Sequence, residues 1–113
     1  MYSPKTQQEF NEFFLFLKEA SQVWHESGLL VSMTLHPQQR MPKAAYSYLD
    51  RVHLMAYDMF FQTNEHHATL ENVQKAVTDV LQSGCPPHKL IIGIPAYARH
   101  ETAPERVLTF AEV

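Results

Sequence analysis

Two short apolar runs, each stopping at a tyrosine, constrain this chain more than any other feature. They are Leu54-Met55-Ala56-Tyr57-Asp58 and Ile92-Gly93-Ile94-Pro95-Ala96-Tyr97-Ala98-Arg99, and a charged residue follows each tyrosine one or two places later. A segment of helical spacing separates them. A right-handed crossover through that helix makes the two runs parallel neighbours in one sheet, with both endings on the same edge. Asp58 adds weight, because a carboxylate placed directly after a buried strand needs a partner or a function.

The rest of the chain repeats the alternation. Phe10, Phe13, Phe14, Leu17, Ser21 and Trp24 recur at spacings of three and four and predict the buried face of a helix over about 6–27. Thr6-Gln7-Gln8-Glu9 has the form of a capping box, and Gly28 supplies the stop. A strand follows over 29–35, ended by His36-Pro37, and then a turn or two of helix near Pro42 to Leu49. The second strand, 52–57, carries almost no charge and reads as buried on both faces. Met59 to Ala68 reads as a loop. Leu70, Val73, Val77, Val80, Leu81 and Gly84 then set a helix over 69–83, with Thr69 as N-cap and Gly84 as C-cap. Pro86-Pro87 bars its continuation, and 90–95 is the third strand.

The predicted fold class is therefore α/β with parallel strands, and βα-barrels place their site residues at the C-terminal ends of such strands. At 113 residues the chain is shorter than a complete eight-fold barrel, which takes roughly 250. Thr109-Phe110-Ala111-Glu112 has the form of a second capping box, just before the chain stops at Val113, and three strands leave two open sheet edges. The expectation is a partial TIM (β/α)8 barrel, a single domain over 1–113 cut at both ends. Expressed alone, such a piece is expected to self-associate.

Composition narrows the function classes. A net charge of −3 gives no basic stripe for nucleic acid, and no apolar run approaches the roughly 18 residues of a membrane span. No positively charged start followed by an apolar stretch marks a secretory leader. The single cysteine, Cys85, cannot form an internal disulfide and reads as an incidental turn residue. The glycines Gly28, Gly84 and Gly93 are not clustered after a strand, which weighs against a nucleotide-binding module.

The two endings resemble the family 18 glycoside hydrolases, the chitinases and chitinase-like proteins. Met55-Ala56-Tyr57-Asp58 is similar to that family's M-x-Y-D at the end of the sixth barrel strand. Lys89 to Arg99 is similar to its seventh strand, K-L-x-x-G-x-P-x-Y-G-R, with Ala98 in place of the usual glycine. The helix before Gly28 and the strand after it are similar to the fourth helix and fifth strand.

The resemblance implies substrate-assisted cleavage of β-1,4-linked N-acetylglucosamine polymers. In that scheme the sugar's own acetamido oxygen is the nucleophile, and a glutamic acid protonates the leaving oxygen. It assigns Tyr57 to the acetamido carbonyl, Asp58 to a sugar contact, Met55 to the floor of the subsite, and Tyr97 and Arg99 to the rim. It implies a chitin-type oligosaccharide as partner, no cofactor and no metal. The family is commonly secreted or lysosomal.

One departure stands out. The family's acid closes a D-x-x-D-x-D-x-E motif, usually followed by Tyr-Pro. Here Tyr2 takes the place of that tyrosine and Met1 falls where the glutamate belongs. Glu65, Glu71 and Glu101 match no family position. The proton donor is thus either upstream or lost, and the polypeptide alone is expected to be inactive. The alternative is a lectin of the same fold that binds without cleaving.

Plainer readings stand beside these. Met55 and Tyr57 would be ordinary core residues if taken without the second ending. His66-His67 has no third ligand at recognised spacing, so a solvated loop pair is expected rather than a metal site. His53 reads as a satisfied strand histidine. Phe60 and Phe61 either stack on sugar rings or close the loop over the core, and both placements stay open.

Overall fold

A computed structural model describes residues 5–59, 66–100 and 102–112. Helix α1 spans Gln7–Glu26 and α2 spans Leu70–Gln82. Strands β1 (Ser32–Leu35), β2 (Arg51–Leu54) and β3 (Leu90–Ile92) form a parallel sheet in that order. The register pairs Leu35 with Leu54 and Leu54 with Ile92. Beyond β3, a short antiparallel hairpin pairs β4 (Tyr97–Arg99) with β5 (Val107–Thr109). The three parallel strands and two helices make a partial α/β barrel.

The helices form where their ends are chemically marked. The Thr6 hydroxyl accepts the Glu9 amide at 3.1 Å, while the Glu9 carboxylate takes the Lys5 amide rather than that of Thr6. At the other end Gly28 adopts φ +76°, and the amides of Gly28 and Leu29 reach back to the carbonyls of His25 and Trp24. That pair of bonds is the Schellman motif, which needs a left-handed residue after the cap. In α2 the Thr69 hydroxyl caps Asn72 at 3.2 Å, and Ser83 rather than Gly84 is the C-cap.

The core lies between the helices and one face of the sheet. Val31, Leu35, Val52, Leu54 and Ala56 meet Leu17 of α1, Ala76 and Val80 of α2, and Ala45, Tyr46 and Leu49 of the 3₁₀ segment Lys43–Tyr48. The Tyr46 hydroxyl lies 2.6 Å from Ser83 Oγ and the Tyr46 carbonyl accepts Lys89 Nζ at 2.9 Å, so this segment ties α2 to the approach of β3. Asp50 joins the end of α1 to the sheet: one carboxylate oxygen meets the Val31 amide and His25 Nε2, each at 2.7 Å. The Val31 amide, and His25 after it, hold the Asp50 carboxyl below its ordinary value.

Several expectations are corrected. All three strands are shorter than 29–35, 52–57 and 90–95. Leu29 is taken by the cap of α1, which delays β1, and β2 ends at Leu54 because the next residues curl. β2 is buried on one face only: Val52 and Leu54 are sealed, while His53, Met55 and Tyr57 on the other side are half-buried.

Helix faces also turn. Trp24 is 42% exposed rather than buried, and Leu70 is exposed, with Asn72 and Ala76 taking the inward positions on α2. Thr109 closes β5, and Phe110–Glu112 is a 3₁₀ turn, so the second capping-box pattern does not act as a helix N-cap here. Met1, Tyr2, Phe60, Phe61, Glu65 and Glu101 lie outside the described residues.

Candidate functional site

The site forms where the two sequence endings meet. After Leu54 the chain leaves the ladder through two tight steps, with the Ala56 amide on Leu54 O at 3.0 Å and the Tyr57 amide on Met55 O at 2.9 Å. Asp58 then takes φ +54°, a left-handed conformation that aspartate tolerates better than most residues. Met59, fully buried, anchors the exit.

On the neighbouring strand the Gly93 amide bonds Leu54 O at 2.8 Å. A Cβ at Gly93 would stand 3.0 Å from Tyr57 Cε1 and 3.1 Å from Leu54 O, so the glycine is there for the approach of the Tyr57 ring. Ala98, in place of the family's glycine, pairs with Leu108 within the hairpin and does not have a positive φ, so an alanine is accommodated.

Four of the five residues singled out from sequence converge. Arg99 forks onto Asp58, with Nε to Oδ1 at 2.9 Å and Nη2 to Oδ2 at 2.8 Å. Its Nη1 also reaches Pro104 O at 3.1 Å. The Tyr57 ring meets the Tyr97 ring edge-on at 6.1 Å, and the Arg99 guanidinium lies 5.5 Å from the Tyr97 centroid. Met55 stands on the same side of β2 as Tyr57, half-buried, with its amide on Leu35 O.

The electrostatics follow from the fork. The Arg99 hydrogen bonds hold the Asp58 carboxyl below its ordinary value, with Tyr97 and His67 adding to them. Arg99 is raised in turn by Asp58. Burial, and then Asp58, push the Tyr97 phenol up. Asp58 still keeps 36% of its side-chain surface exposed, against 23% for Arg99.

His67 belongs to the same cluster, contrary to the solvated loop pair expected for it. Its side chain is 13% exposed, its ring stacks on Tyr97 at 5.2 Å and 20°, and its Nδ1 lies 3.4 Å from Asp58 Oδ1. His66 beside it is exposed. The one hint in the sequence was the need of Asp58 for partners; nothing in the spacing of His67 announces that it supplies one. Among the described residues, no three metal-ligating side chains stand together, and no helix is long and apolar enough to cross a membrane. Cys85 is buried, and burial pushes its thiol up, away from a reactive thiolate.

A profile of the glycosyl hydrolases of family 18 matches residues 1–109. The chain belongs to that family. At 29% identity over 103 residues it is similar to "Probable chitinase 2" of Drosophila melanogaster, covering 77% of this chain and 21% of that protein. It superposes on the family 18 chitinase ChiB of Flavobacterium johnsoniae with a TM-score of 0.78 and 25% identity, over 88% of this chain and 35% of that one. A family 18 chitinase of Cycas revoluta shares the fold at a TM-score of 0.79 and 24% identity, over 97% of this chain and 44% of that one. The chain thus spans less than half the length of each of these relatives.

Proposed function

We propose that this chain forms one wall of a cleft for β-1,4-linked N-acetylglucosamine oligomers. Tyr57 holds the acetamido carbonyl, Asp58 contacts the sugar, Met55 lines the floor, and Tyr97 and Arg99 form the rim. One observation carries the reading: Tyr57 and Asp58, just past the end of β2, meet Tyr97 and Arg99 of the hairpin that follows the adjacent strand β3, with the Asp58 carboxylate still partly open to solvent. The Cycas revoluta chitinases, crystallised with (GlcNAc)3 and (GlcNAc)4, support it by analogy of fold.

The same geometry argues against Asp58 as the proton donor. A carboxyl held below its ordinary value by a bidentate guanidinium is ionised at neutral pH, whereas a general acid must carry its proton there. Among the described residues, Asp58 is the carboxylate that bonds within the cluster. We therefore expect binding without turnover from this polypeptide, with the family's glutamic acid required for hydrolysis. The same contacts would serve a second reading, a lectin of family 18 fold whose intact form also binds without cleaving.

Calorimetric titration with (GlcNAc)4 tests the binding, with Tyr57→Phe as the variant that removes only the phenolic oxygen. Loss of one such hydrogen bond should weaken binding about tenfold. Equal affinity of the two proteins, or no binding by the wild type, would refute it. A fluorogenic chitobioside should give no product with this chain, and steady turnover would show that a proton donor has been overlooked.

A further inference from the structure

His67 grips two successive amides at the turn that aims Asp58. Its carbonyl oxygen accepts the Met59 N–H at 2.7 Å, and its Nδ1 accepts the Asp58 N–H at 3.2 Å. Between those two bonds lies the left-handed φ of +54° at Asp58, the only positive φ outside glycine among the described residues. Such a conformation persists where its surroundings over-determine it. The imidazole also lies flat on Tyr97, whose ring in turn meets Tyr57 edge-on. One side chain therefore touches the backbone of one proposed sugar contact and the ring of a rim residue.

We propose that His67 is a positioning residue of this cluster: its ring locks the turn at Asp58 and the plane of the Tyr97 ring. The proposal rests on the sugar-cleft reading for its functional consequence, though not for its geometry. The carbonyl bond to Met59 survives any side chain at position 67. What depends on histidine is the Nδ1 acceptor and the flat ring.

Two substitutions separate these parts. His67→Asn keeps a short acceptor near the place of Nδ1 and loses the ring. His67→Phe keeps a ring against Tyr97 and loses the acceptor. His67→Phe should move the Asp58 amide and Arg99 Nε resonances and weaken (GlcNAc)4 binding about tenfold, the scale of one lost hydrogen bond. His67→Asn should leave the Asp58 amide near its wild-type position and recover most of the affinity.

A purely structural histidine would lower the melting temperature of both variants and leave the Asp58 and Arg99 signals in place, which would overturn the proposal. If the wild type binds no tetrasaccharide yet these resonances move as described, the sugar-cleft reading fails while the positioning of Asp58 by His67 stands.

Discussion

The two faces of β2 have opposite fates. On one, Val52, Leu54 and Ala56 are sealed against the helices, with 0%, 0% and 1% of their surface left. On the other, His53, Met55 and Tyr57 stay half-buried, and the row leads to Asp58 at the strand's exit. The period of two in a strand sends neighbouring residues to opposite faces, so packing and the proposed sugar contacts fall on alternate residues without competing. The sealed face holds the sheet in place, and the proposed cleft rests on the open face, which inherits that rigidity.

The comparison breaks most easily at the sealed face. Leu54→Ala should cost about 2–5 kcal/mol, seen as a large fall in the denaturation midpoint, because a fully buried side chain leaves a cavity. His53→Ala, one residue away on the open face, should cost less than about 1 kcal/mol. Similar losses from both would mean that the two faces are not distinct.

Gly93→Ala tests how the open face is packed. Its new Cβ meets the Tyr57 ring and the Leu54 carbonyl, so the expected cost is about 1–3 kcal/mol, with displacement of Tyr57 and loss of oligosaccharide binding. Tyr46→Phe sharpens the other side: it removes the hydroxyl that meets Ser83, and should cost about 1 kcal/mol in a denaturant titration while leaving sugar affinity unchanged.

The smallest effect expected is on pH. The Asp58 carboxyl titrates below its ordinary value of 3.8 in the folded chain, because Arg99 donates to both oxygens. The ion pair's contribution is therefore fully present above that ordinary value and is lost as pH falls through the lower folded one. The Arg99 Nε resonance should stay fixed between about pH 7 and 5 and move only in stronger acid. Half-exposed pairs of this kind contribute little to stability, so the resonance rather than the melting temperature is the readout.

The helices were legible in the sequence because their ends carry chemistry. Thr6, Gly28 and Thr69 mark the termini of α1 and α2 to within a residue. The strands were legible as elements but not in length. The apolar alternation runs on through Met55 and Tyr57, while the backbone has already left the ladder, and apolarity does not report pairing. The β4–β5 hairpin escaped because each strand has three residues and Thr109 to Glu112 imitates a helix start.

Tyr57, Asp58, Tyr97 and Arg99, which the structure brings together, were singled out through paired endings of two apolar runs. Their mutual contacts were not, since the family resemblance directs Asp58 and Arg99 toward a sugar rather than toward each other. His67 was missed for a related reason. Its bond to Asp58 closes a loop across nine residues, and no local pattern encodes where a loop returns.

The partial barrel also leaves Ile91, Ile92 and Ile94 exposed, and β1 and β3 each have one unpaired side among the described residues. Sedimentation should show concentration-dependent association of the isolated chain, and a monodisperse monomer over the same range would contradict this.

Chemical-shift mapping during titration with (GlcNAc)4 probes the division of β2 most directly. The tetrasaccharide should move the signals of Tyr57, Asp58, Tyr97 and Arg99 together, along one binding curve, while Val52 and Leu54 stay still. Perturbations confined to other surfaces, or a titration that leaves Tyr57 and Asp58 unmoved, would contradict the account.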